Sequence, residues 1–205
     1  MKKILPVLLA LCLLAGCADS GLHLPVNPAP EETVTQQPVI PVPDEATVRN
    51  RFEKAMEVYG WFDLCSLPVD SSQTYRVGER TYYHVVSDEV PDYNALRTMV
   101  YDLFSTDIGE QLLREDSETP PYISVEGQLY GIDGARGADI TKGDYTMTVE
   151  TENSTSILCK VEVELVEFDY DGGEDYRKVV GTESHTFRYN LVGNRWVFTD
   201  FDLWY

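Results

Sequence analysis

The stretch from Ile157 to Leu165 constrains this chain more than any other. Ile157, Cys159, Val161, Val163 and Leu165 stand at every second position, with Lys160, Glu162 and Glu164 opposite. Successive side chains of a strand point to opposite faces, so the segment reads as a strand with one face buried and one in water. That texture belongs to an antiparallel sheet covered on one side. The same period returns at Tyr145, Met147 and Val149 within 144–150, and at Phe187, Tyr189 and Leu191 within 179–191. A Gly193-Asn194 turn then leads into a closing strand over 196–204. Shorter strands, 122–125 and 128–130, flank a Glu126-Gly127 turn.

Upstream the period changes. Val48, Phe52, Ala55, Met56 and Tyr59 trace one face of an amphipathic helix that follows Asp44-Glu45, with Gly60 placed to end it. Residues 75–86 read as a hairpin turning at Gly78-Glu79. Pro91-Asp92 opens a second helix carrying Leu96, Val100, Leu103 and Phe104, and a short third helix spans 107–114. Helices first and long antiparallel strands afterwards predict an α+β fold. The expected architecture is N-terminal helices packed on one face of a curved antiparallel sheet, in an NTF2-like or cystatin-like arrangement, with 44–205 as a single domain.

The first 43 residues have another character. Lys2 and Lys3 precede an apolar run over 4–14, too short to span a bilayer but of secretory-signal length. Leu14-Ala15-Gly16-Cys17 resembles the lipobox of bacterial lipoproteins. The resemblance implies that 1–16 is a signal peptide and that Cys17 becomes the acylated first residue, a palmitate-type anchor and the only hold on the membrane. An ordinary signal peptide that happens to contain a cysteine is the alternative. Pro25, Pro28, Pro30, Pro38, Pro41 and Pro43 then exclude a helix or central strand and make 17–43 an extended tether. The expected location is extracytoplasmic, at the cell membrane of a bacterial envelope.

Charge narrows the function classes. Thirty-five acidic residues against 16 basic ones give a net charge of −19, which repels a phosphate backbone and argues against nucleic acid as a partner. Thirteen Tyr, 7 Phe and 3 Trp are too many for a solvated acidic tail. No nucleophile elbow, phosphate loop, His-Glu-x-x-His or Cys-x-x-Cys is present, and no catalytic residue, cofactor or metal is expected. His84 and His185 fall inside strands, beside tyrosines and phenylalanine, where packing explains them as well as a pocket base does. Cys159 lies on an apolar strand face as a small hydrophobe, and Cys65 packs beneath the first helix. A disulfide between the two is compatible with export. The acidic segment 169–175 bends at Gly172-Gly173, but Gly173 occupies a ligand position, so a hairpin tip fits better than a calcium loop. Asp200 and Asp202, with His84 or His185, are the only materials for an Asp–His pair.

The segment 131–139 is the densest unusual stretch. Gly131, Gly134 and Gly137 fall within seven residues, with Asp133, Arg136 and Asp139 among them. A hairpin connection needs about two to five residues, and a longer exposed loop tends to make contacts. Either these residues bind a partner, or the glycines relieve crowding where the chain crosses between elements. Arg136 either ties the loop to Asp133 or Asp139, or offers its fork to a partner's carboxylate.

The order of these weak features resembles one family. Tyr82-Tyr83 comes first, then a helix opening at 88–92 with Leu96 and Val100, then Phe104-Ser105 and Leu112-Leu113. Ile123, Glu126-Gly127-Gln128-Leu129, the glycine loop 134–137 and Trp196-Val197-Phe198 complete it. Over 46–205 the chain is similar to the IseA-like inhibitors of bacterial DL-endopeptidases, although Ala138-Asp139-Ile140-Thr141 replaces a tryptophan-containing stretch usual after the loop. The resemblance implies a non-enzymatic, surface-anchored lipoprotein that fills the cleft of an NlpC/P60-type cell-wall peptidase with Gly131, Asp133, Gly134, Arg136, Gly137 and Asp139. The alternative is an NTF2-like module that binds or senses an envelope ligand in an apolar tube.

Overall fold

Short polar side chains set where the helices begin. The computed structural model describes residues 40–134, 137–169 and 176–204. Cys17 and the predicted signal segment, Arg136, and the glycine bend of the acidic segment lie outside the described residues. Helix α1 runs Glu45–Asp63, with the Asp44 carboxylate accepting from the Thr47 amide at 2.8 Å. Helix α2, Tyr93–Leu103, is capped by Asp92, and α3, Thr106–Leu113, by Ser105. Each cap satisfies an amide that the first helical turn leaves open.

Helix α1 does not stop at Gly60. Trp61 and Phe62 are both buried, Phe62 edge-on to the Tyr122 ring, and their burial carries the helix three residues further. A mid-helix glycine costs about 1 kcal/mol relative to alanine, less than two buried aromatic side chains contribute. The helix ends at a Leu64 cap whose N–H reaches the Gly60 carbonyl, followed by Cys65 at φ 49°.

Eight strands follow the order β1 Val69–Val77, β2 Arg80–Val85, β3 Tyr122–Val125, β4 Gln128–Gly131, β5 Lys142–Asn153, β6 Ser156–Phe168, β7 Arg177–Val192 and β8 Arg195–Asp200. The expected single curved sheet is instead two four-stranded antiparallel sheets, ordered β1-β2-β4-β3 and β5-β6-β7-β8. The division has a physical origin. Strands β3 and β4 are four residues long and join β2 through only Tyr83–Gly131 and His84–Tyr130, so the small sheet ends before β5 begins. The α+β class stands, but the helices are not one N-terminal block: α1 precedes the β1–β2 hairpin, and α2 and α3 follow it.

The core lies between the helices and the long sheet. Ile157, Cys159, Val161 and Val163 of β6 are fully buried, while Lys160 and Glu162 point to water. Phe52 of α1 sits among Phe187, Phe198, Phe201 and Trp204, with ring centroids 5.3 to 6.2 Å away. Those rings fill the space under α1. Arg49 Nη2 donates to the Met147 carbonyl at 2.7 Å and ties α1 to β5. Arg195 and the Ser105 amide join β8 to α2 and its end, donating to the Tyr101 and Phe198 carbonyls. Trp196 Nε1 donates to the Pro41 carbonyl, so the last prolines of the tether segment meet β8. Strands β6 and β7 run beyond the helical cover, leaving Val179 and Val180 half exposed.

Candidate functional site

The connection Ile132–Thr141 carries the chain from the small sheet to the large one, and that crossing accounts for part of its length. Both feet are fixed. The Ile132 amide donates to the Pro121 carbonyl at 3.1 Å, and the Lys142 amide to the Asp139 carbonyl at 3.1 Å. Asp139 Oδ1 also accepts from the Thr141 amide and hydroxyl, a local turn that aspartate side chains favour. Between the feet, Asp133, Gly134, Gly137, Ala138, Asp139 and Ile140 are exposed. Gly134 has φ +112°, a conformation that side chains rarely adopt.

Gly131 differs from the rest of the candidate set. It is buried at the end of β4, and a Cβ there would meet the Tyr122 ring at 2.6 Å. The absence of a side chain lets that ring lie against the strand while the Tyr122 hydroxyl donates to the Trp61 carbonyl at 2.5 Å. Tyr122 also meets Phe62 edge-on at 5.3 Å. Burial pushes the Tyr122 hydroxyl well above the ordinary tyrosine range, so it stays a donor. Gly131 thus locks the loop's first foot to α1 and presents nothing outward.

The second foot is held by charge. Lys142 Nζ lies 2.5 Å from one Glu183 oxygen, and His185 Nε2 2.9 Å from the other. The His185 ring stacks on Phe187 at 6.3 Å and approaches Trp204 at 5.6 Å. Its partner is therefore Glu183, not Asp200 or Asp202: parity puts 183 and 185 on one face of β7, whereas Asp200 is exposed on β8. Asp202 accepts from its neighbour's Leu203 amide and faces Tyr59, whose hydroxyl is pushed up to about 12, chiefly by burial. His84 pairs across the strands with Asp70 and Tyr130, and its Nδ1 is buried without a hydrogen-bond partner among the described residues. The His185 and Glu183 side chains are 32% and 29% exposed, so water reaches this imidazole–carboxylate pair.

Neither thiol is prepared for attack. Cys65 and Cys159 are free, not joined in a disulfide. Burial raises Cys159 to about 11. Burial also raises Cys65, with Arg114 and Arg80 opposing the rise and Asp63 and Asp133 adding to it. A thiol held above its ordinary value is protonated at neutral pH and a weak nucleophile. The same four charges show what gathers at this end: the end of α1, the residue after α3, the start of β2 and the exposed loop. Among the described residues, no three His, Cys, Asp or Glu side chains gather to hold a metal. No described helix is long and apolar enough to cross a membrane.

Two grooves meet at Arg114. One, of about 270 Å³, is lined by Tyr59, Phe62, Asp63, Gln111, Leu112 and Arg114. The other, of about 410 Å³, lies between α2 and α3 and shares Arg114. The sequence reading missed both, because it took Arg114 only as the last residue of a helix. No protein-family model matches the chain, and no curated protein matches it.

Proposed function

We propose that this chain is a surface-anchored lipoprotein whose α+β domain binds an NlpC/P60-type DL-endopeptidase and blocks its cleft with the connection between β4 and β5. The observation that carries the reading is that connection: held at both feet, with Asp133, Gly134, Gly137, Ala138, Asp139 and Ile140 exposed between them. An exposed segment with fixed ends enters a cleft at less entropic cost than a free one. The resemblance to IseA-like inhibitors and the lipobox at Cys17 supply the target class and the envelope location. The finer NTF2-like or cystatin-like assignment belongs to the same reading and rests on element order. An acidic surface steers a basic wall hydrolase toward the loop, more strongly at low salt.

The test is digestion of peptidoglycan by a DL-endopeptidase with and without the full chain. Slower digestion is expected, with weaker inhibition at higher salt. Replacing 133–139 by a short Gly-Ser linker should abolish inhibition, and undiminished inhibition would remove the loop from the mechanism.

A further inference from the structure

In the groove between α2 and α3 one pair of opposite charges, Arg97 and Glu115, meets, while others that line it do not. Five of the described arginines reach carboxylates, at Arg49, Arg51, Arg97, Arg177 and Arg188, and two reach backbone carbonyls, at Arg76 and Arg195. Arg114 and Arg80 alone have no side-chain partner among the described residues. Arg114 lines the groove of about 410 Å³ together with Glu110, Glu115 and Asp116. Glu115 is taken by Arg97 at 3.2 Å and by the Tyr93 hydroxyl at 3.1 Å. Glu110 and Asp116 have no side-chain partner among the described residues, although an unpaired guanidinium lines the same groove.

The backbone keeps them apart. Arg114 is left-handed, at φ 49° and ψ 41°, which costs an ordinary residue about 1 kcal/mol where glycine would sit without strain. Its amide donates to the Glu110 carbonyl and its carbonyl accepts from the Ser117 amide, both at 2.9 Å, closing the turn that carries Asp116. The groove's aromatic wall is equally fixed. The Tyr101 ring lies against α3 at Gly109, where a Cβ would come within 2.5 Å, and the Arg97 guanidinium stands 4.9 Å from its centroid. A rigid groove with a free cation and free anions is complementary to a ligand that carries both charges. Its volume is that of a small-molecule site and exceeds what a lone amino acid fills.

We propose that this groove binds a short zwitterionic peptide, with its carboxylate on Arg114 and its ammonium against Glu110 and Asp116. This goes beyond peptidase inhibition and does not depend on it. The probe is alanyl-alanine, compared with its N-acetyl and C-terminal amide forms, titrated into the full chain and followed by ligand-observed NMR. Blocking either end should weaken binding about tenfold, the effect of one charge-assisted contact. Arg114→Gln should erase the penalty for the amide and keep that for the acetyl group. Glu110→Gln combined with Asp116→Asn should do the reverse. That crossed pattern separates loss of the site from loss of the fold. No binding at tens of millimolar, equal binding of the three forms, or variants that weaken all three alike would overturn the proposal. No peptidase is present in the assay, so its failure leaves the inhibitor reading standing, and the converse holds.

Discussion

Glu183 holds two neighbours at once, and its protonation is where pH reaches the fold. Hydrogen bonds from Lys142 and then His185 hold its carboxyl below the ordinary value of 4.5, against a smaller opposing effect of burial. A carboxyl with a depressed folded-state value adds stability above its unfolded value, and that stability is lost as pH falls through the folded one. The wild-type chain should therefore unfold at a higher temperature than Glu183→Gln at pH 7. The gap should close as the pH drops below about 4.5, and a gap that persists in acid would show that Glu183 acts by shape alone. Asp200 and Asp202 were the expected partners of a histidine and Glu183 was missed, although strand parity puts 183 and 185 on one face. Lys142 was not legible, because it arrives from another strand and depends on register. Arg114 was hidden for another reason: backbone handedness at a helix end leaves no mark in hydrophobic spacing.

Among the elements, the best-marked boundaries were the ones with chemical punctuation. Asp92 after Pro91 announced α2, and its carboxylate accepts from the Ala95 amide at 2.8 Å. Asp92→Ala should lower stability by about 1 kcal/mol, read as a drop in the thermal midpoint, with the helical signal retained below the transition. Gly78-Glu79, Glu126-Gly127 and Gly193-Asn194 mark turns that the structure contains, with positive φ at each glycine. Gly60 misled for the opposite reason: a glycine with room around it does not end a helix whose next residues are buried aromatics. The glycine loop was visible as a cluster, but its glycines divide by role. Gly131 admits a ring, Gly134 takes a left-handed turn, and Gly137 stands in open space.

At the scale of the whole molecule, alternation predicted strands and class but not how many sheets they make. That number depends on which edges meet, and only two residue pairs connect β2 to β4. The core was legible as a list of apolar positions, not as an arrangement in which Phe52 lies against Phe201 and Trp204. Trp204→Ala should destabilise the chain by about 3 kcal/mol or more by opening a void beneath α1, measurable by denaturant titration. A small effect would mean that the ring is not needed to seal that interior. The wedge that seals α1 is also about 150 residues downstream of Phe52. Phe201 and Trp204 belong to the last five positions, so the interior beneath α1 is closed by the end of the chain rather than by its beginning.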